Sequence, residues 1–195
     1  MLLRKTQIGD VDRIMEILTE ARSSLQRAGI DQWQKGYPYR TVIECDMHNG
    51  ESYVVEDSKG NLVATAMIGF RGEDDHQYLE KGKWLTDSPA EFPTYAIVHR
   101  VAVSDGQKGK GIASFILESA EQMALENGFM SIRIETHADN TPMKNLLNKE
   151  GYQECGVVYI THESEPTTER SAFEKLVSFE KVIAESNALG CIPSA

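Results

Sequence analysis

Apolar residues recur at Val11, Ile14, Ile17, Leu18, Ala21 and Leu25. That spacing draws one buried face of a helix opened by Asp10 as N-cap and closed near Gly29. A second, shorter helix is predicted over about 40–48, where Val42, Ile43 and Met47 are the apolar positions. Elsewhere the apolar residues fall into short runs of strand length, at 2–7, 52–57, 62–70, Tyr95–Val103 and 131–136. The second and third runs flank a Ser-Lys-Gly-Asn turn and read as a hairpin. Ile112, Phe115, Ile116, Ala120, Met123 and Ala124 mark the core face of a third helix, ended by Gly128. Asn140, with Pro142 in the first turn, opens a fourth around Met143, Leu146 and Leu147, ended by Gly151. Strands at 152–160 and 172–179 complete the order β-α-α-β-β-β-α-β-α-β-β. This is an α/β chain with a mixed sheet and helices, neither all-β nor a bundle.

One stretch, 71–93, has no period. It carries Arg71-Gly-Glu-Asp-Asp, Lys81-Gly-Lys and Asp87-Ser-Pro. Polar connections of that length are either functional lids or solvated excursions, and the residues leave both open.

Composition adds limits. With 195 residues, 41% of them hydrophobic and 26% charged, the chain is ordinary globular material of one-domain size. The formal net charge of −10 argues against a nucleic-acid partner, because the basic residues cluster only at Lys108 and Lys110. Cys45, Cys155 and Cys191 lie far apart without a C-x-x-C pair, so neither a zinc ribbon nor a dithiol motif is expected. His48, His76 and His162 show no metal-ligand spacing, and no metal is expected. No apolar run has membrane-span length, and Met1-Leu-Leu-Arg turns polar too soon for a signal core. The expectation is a reduced, cytoplasmic protein with no membrane partner.

The chemistry concentrates between residues 98 and 152. Gly106, Gly109 and Gly111, with Lys108 and Lys110, stand between a buried strand and a helix start. Glycines admit close backbone approach, and a helix start offers unpaired N–H groups with partial positive charge, so an anion such as pyrophosphate suits the place. A tight connection with no ligand is the plainer alternative. A Walker A loop is excluded, since Gly109-Lys110 is followed by Gly111 in place of Ser or Thr. The dinucleotide fingerprint fails at Ser114, where its third glycine belongs.

A third pattern fits better. Val101-Ala-Val-Ser-Asp-Gly-Gln-Lys-Gly-Lys-Gly-Ile-Ala resembles motif A of the GCN5-related N-acetyltransferases, with Lys108 at a position usually Gln or Arg. Asn140, Leu146, Gly151 and Tyr152 match that family's downstream pattern. The resemblance runs from the first strand to about residue 179. It implies an N-acetyltransferase domain over 1–179, with 180–195 as a C-terminal appendage. The implied fold is a mostly antiparallel central sheet with helices on both faces and a splayed central strand pair. The implied reaction transfers the acetyl group of acetyl-CoA to a primary amine of a small molecule or peptide, by direct attack in a ternary complex. Backbone groups of Val101, Ala102 and Val103 would pair with the pantetheine arm, and the amides of Lys108, Gly109, Lys110, Gly111, Ile112 and Ala113 would hold the pyrophosphate. Asn140 would touch the cofactor arm. A homodimer through the last strands or the appendage is compatible with the chain and not required by it.

An attacking amine must lose a proton. His99 and Glu135 interrupt otherwise apolar strands, which is costly unless they are paired or line a cleft, so they are the catalytic candidates, with His137 behind them. The structural alternatives are pairing of Glu135 with Arg100 or Arg133 and a hydrogen-bonded core role for His99. The family's tyrosine acid would fall on Leu147, a departure that leaves Tyr159 or solvent to protonate the thiolate. It also keeps a second reading open, a non-catalytic acyl-CoA-binding sensor. Trp33, Tyr37 and Tyr39 could wall an acceptor pocket or plug a core, Trp84 and Tyr78 could cap the acceptor, and Arg170, placed before the last strand, could meet an acceptor carboxylate or solvent.

Overall fold

A computed structural model describes residues 1–160 and 168–177; the appendage at 180–195, His162 and Cys191 lie outside them. The elements are β1 (Leu2–Lys5), α1 (Val11–Arg27), α2 (Arg40–His48), β2 (Ser52–Glu56), β3 (Leu62–Gly69), β4 (Tyr95–Val103), α3 (Ile112–Glu126), β5 (Ser131–His137), α4 (Thr141–Lys149), β6 (Gln153–Tyr159) and β7 (Glu169–Leu176). They follow the order read from the sequence. The sheet runs β1-β2-β3-β4-β5-β7-β6, antiparallel throughout except for the parallel pair β4–β5.

Alternation along the strands sorts side chains to two faces. Ala96 and Val98 of β4 and Ile132 and Ile134 of β5 pack with Leu117, Ala120 and Ala124 of α3 and Leu147 of α4. On the opposite face Val54 and Ala102 pack with Ile14, Ile17 and Leu18 of α1 and Ile43 of α2.

β4 breaks this alternation once. Thr65 and Met67 of β3 face Ala102 and His99, so β4 carries one extra residue there. Val98 and Val101 consequently share the α3 side, while Ala102 reaches α1. Arg100 sits in the bulge at φ 55°. Its guanidinium leaves the sheet and grips both carboxylate oxygens of Asp46 on α2, at 2.9 and 2.8 Å, and the Tyr37 hydroxyl at 2.8 Å. Bulges sharpen local twist and bend the strand that holds them. Here β4 pairs with β5 only from Tyr95 to Ile97, and beyond that the two strands part.

The 71–93 segment is docked, which removes the solvated excursion from the two readings its sequence left open. Glu80 bridges Val157 of β6. The buried Glu174 of β7 accepts from the N–H groups of Leu85 and Thr86 and from the hydroxyls of Thr86 and Ser131, and it pairs with Arg133. Arg133 in turn lies over the rings of Trp84 and Tyr95. Trp84 is therefore a packing residue of this insert, and Tyr78 is exposed. β7 starts three residues earlier than its hydropathy suggests, because Arg170 and Ser171 are buried polar residues inside it.

Candidate active site

The parting of β4 and β5 opens a cleft of about 440 Å³ that crosses the sheet. At one end stand Lys108 and Ala113; Val98, Val101 and Ile134 line the passage; Trp33, Tyr37, Glu135 and Arg170 lie at the other end. His99, Ala102, Val103 and Asn140 also face it.

The anion end is built by conformation. Gly109 and Gly111 take φ 76° and 78°, left-handed values that L side chains adopt at a cost, and Gly111 is the residue preceding α3. A Cβ at either glycine would meet nothing within 4 Å, so both are demanded by backbone angle rather than by crowding. Among the described residues no acceptor engages the N–H groups from Lys108 to Gly111. The first-turn N–H groups of α3, from Ile112 and Ala113, face the same way by the geometry of a helix start. Free donors, open space and a helix N-terminus fit a diphosphate. The lysine side chains are occupied locally: Lys108 Nζ reaches Ser24 and Asp105, and Lys110 Nζ reaches Gly106 O and Gln107. Asn140 caps α4, accepting from Met143 N, and its amide donates to Gln32 at 3.0 Å.

At the far end the structure joins the two catalytic candidates. Nδ1 of His99 lies 3.0 Å from Glu135 Oε1, and its Nε2 lies 2.6 Å from Glu73 Oε2. Each nitrogen faces a carboxylate, an arrangement that favours the imidazolium form of the ring. Burial would lower its pKa, but the charges of Glu135 and Glu73 outweigh burial and hold it well above the usual histidine value. The other oxygen of Glu135 takes a hydrogen bond from Nε2 of His76, at 3.0 Å. Burial would raise Glu135, but the His99 charge and the hydrogen bonds from both histidines keep it well below the usual carboxylate range. Glu73 is lowered too, burial again being outweighed by His99. Donor atoms of Glu73, His76, His99 and Glu135 all lie within 4.8 Å of one another, close enough to admit a divalent cation. The commitment of both His99 nitrogens to carboxylates speaks instead for a chain of protons.

Several structural alternatives are thereby resolved. Arg100 pairs with Asp46 and Arg133 with Glu174, so neither serves Glu135. His137 is buried, not solvated, and burial together with the Arg170 charge pushes its pKa down. Leu147 is wholly buried in the core, and Tyr159 is exposed, its hydroxyl 3.5 Å from Glu169. Trp33 and Tyr37 line the cleft, whereas Tyr39 is exposed. Arg170 lies within β7, buried, on the cleft. Sequence reading missed Glu73 and His76. Their only mark is a Glu-x-x-His in a polar stretch, and nothing along the chain brings that stretch to Glu135.

Residues 11–152 match the model of the acetyltransferase (GNAT) family, and the chain belongs to that family. A streptothricin acetyltransferase of Escherichia coli is 34% identical over 71 residues, which is 36% of this chain and 41% of that protein, so the match spans less than half of the curated relative. A GNAT-family acetyltransferase structure from Streptococcus agalactiae is 32% identical, with a TM-score of 0.77 over 91% of this chain and 95% of its own. A phosphinothricin acetyltransferase from Sinorhizobium meliloti, solved in complex with acetyl-CoA, shares the fold at 16% identity, TM-score 0.63, covering 91% of this chain and 88% of its own.

Proposed function

We propose that this protein transfers the acetyl group of acetyl-CoA to a primary amine of a small molecule or peptide, by direct attack within a ternary complex. One observation carries the reading. A single cleft runs from Lys108 and Ala113, which flank the turn with free N–H groups, to Glu135, whose pKa the two histidines hold low. The S. meliloti relative with acetyl-CoA and the streptothricin acetyltransferase support the same co-substrate and an amine acceptor.

Acetyl-CoA would supply an activated acyl group, its diphosphate held by the amides of Lys108 to Ala113 and its arm laid along Val101, Ala102, Val103 and Asn140. The chain does the rest by position and charge. The parted strands hold both substrates in one passage, which removes most of the entropic cost of their meeting. Glu73 and Glu135 give the far end of the cleft two carboxylates, which the charges of His99 and Arg170 balance. A carboxylate so stabilised is a weak base toward a free ammonium. Only the neutral amine carries the lone pair that attacks, so the first proton of the ammonium goes to solvent before the bond forms; Glu135 takes the second, once bond formation has acidified the nitrogen, directly or through one water. With Leu147 in the core, protonation of the leaving thiolate falls to solvent.

Leu147 also favours the second reading, an acyl-CoA-binding module without turnover. Thiol release from acetyl-CoA across a panel of amines separates the two. Turnover with at least one amine is expected, together with a melting point raised by acetyl-CoA and not by NADH. Glu135→Gln is expected to lower kcat by roughly 100-fold while leaving the KM for acetyl-CoA unchanged. Stabilisation by acetyl-CoA with no turnover on any amine would favour the binding module, and stabilisation by NADH alone would sink both.

A further inference from the structure

We infer that His76, on the docked 71–93 insert, is a positioning residue for the reaction, fixing the orientation and the ionised state of Glu135 from outside the cleft. The inference rests on the reading of Glu135 as the proton acceptor and adds a part of the chain that the family motifs do not include.

The geometry is one-sided. His76 is fully buried and does not line the cleft; it lies against a second cavity, of about 930 Å³, between the insert and the sheet. Its Nε2 holds Glu135 Oε2 at 3.0 Å while His99 holds Oε1, so the carboxylate is gripped at both oxygens. A carboxylate oxygen has two lone pairs, and each grip leaves one free to meet an acceptor.

His76 is itself clamped. Its carbonyl accepts from Trp84 Nε1 at 2.9 Å and from Arg133 Nη1 at 3.3 Å, and its ring stands among those of Trp84, Tyr95 and His99. The clamp returns to the sheet through Arg133 and Glu174. Glu73, one turn earlier, is tied to Tyr95 through its backbone N–H, 3.1 Å from the tyrosine hydroxyl, and it fixes the far side of His99. Of the three groups closest to Glu135, the insert thus supplies His76 and Glu73, and β4 supplies His99. A buried carboxylate that loses a hydrogen bond to its charged form becomes easier to protonate. Facing Glu135 are His99 from β4, Glu73 and His76 from the insert and, at longer range, Tyr37 before α2.

The test compares wild type with His76→Phe, His76→Asn and Glu135→Gln in two measurements. The first is the pH profile of kcat and of the KM for acetyl-CoA. The second is a carboxyl ¹³C titration of Glu135 in the protein without acetyl-CoA, assigned by its disappearance in Glu135→Gln. In His76→Phe, kcat is expected to fall roughly 10- to 100-fold with the KM for acetyl-CoA unchanged, the acid limb moving to higher pH and the Glu135 midpoint moving with it. His76→Asn, which keeps an N–H donor, is expected to recover part of both; should the Phe variant not fold, the Asn variant is expected to show the same displacements at smaller size. An unmoved Glu135 midpoint and an unmoved acid limb in folded His76 variants overturn the inference while Glu135→Gln still impairs turnover. A fully active Glu135→Gln overturns the underlying reading instead. A Glu135 titration that shifts only when zinc is added would also overturn it, by making Glu73, His76, His99 and Glu135 a metal site.

Discussion

Gly111 precedes α3 at φ 78°, where a side chain costs about 1–2 kcal/mol. Gly111→Ala is expected to lower stability by about that much in urea unfolding and to weaken acetyl-CoA binding, because relaxing the turn re-aims the free N–H groups. His99 gives a pH dependence whose sign follows from its two carboxylates. Its folded pKa is raised above the ordinary histidine value of 6.5, so its contribution to stability is full below that value and is lost as pH climbs through the raised one. Glu135 contributes the opposite way: its stabilisation is present above 4.5 and is lost as pH falls toward its depressed value. Unfolding measured from pH 6 to 10 is expected to show stability declining on the alkaline side, with a smaller decline in Glu73→Gln, which removes one of the two carboxylates. Tyr37 and Asp46 also feel the His99 charge and belong in the fit. At this scale the sequence was eloquent where a residue breaks an apolar pattern. His99 and Glu135 stood out because ionisable groups in apolar strands need partners. His76 and Glu73 did not, because a polar residue in a polar stretch looks the same whether it is solvated or buried.

The elements that shape the cleft are the bulge in β4 and the insert that braces it from behind. The α-helices and β-strands of the described residues were legible from hydrophobic spacing and cap signals, β7 with its start three residues late, whereas the short 3-10 turns at Ile8–Asp10, Asp74–His76 and Asp105–Gln107 were not. The bulge was not, since one extra residue leaves no trace in a strand that reads as continuously apolar, and its evidence is the shared facing of Val98 and Val101. Nor was the docking of the insert, which depends on buried polar groups around Glu174 and on a backbone approach. Gly82 shows that approach: a Cβ there would stand 1.8 Å from the carbonyl oxygen of Cys155 on β6. Gly82→Ala is therefore expected to lift the insert from β6. Limited proteolysis should then cut within 71–93 before the rest of the chain, and kcat should fall along with it. Resistance to cleavage equal to wild type would mean that the insert is held without this contact.

Taken whole, the molecule is a sheet with a helical layer on each face and one place where parallel strands separate. The topology explains why that place is the site. β4 and β5 are the only parallel neighbours among the described strands, they pair over three residues, and the chain between them supplies both the glycine turn and α3. The backbone proposed to bind the anion and the carboxylate proposed to accept the proton thus arise from consecutive elements, which is why their residues could be found in one stretch of sequence. Trp33, Tyr37 and Arg170 were acceptor candidates with structural alternatives beside them, and only the fold brings them to one cleft, because they come from distant parts of the chain. The most direct measurement is a crystal structure of the protein with acetyl-CoA. The diphosphate is expected on the N–H groups of Lys108 to Ala113 and the thioester between the parted strands, beside Glu135. A diphosphate bound elsewhere, or a thioester remote from that carboxylate, would contradict the proposed reaction.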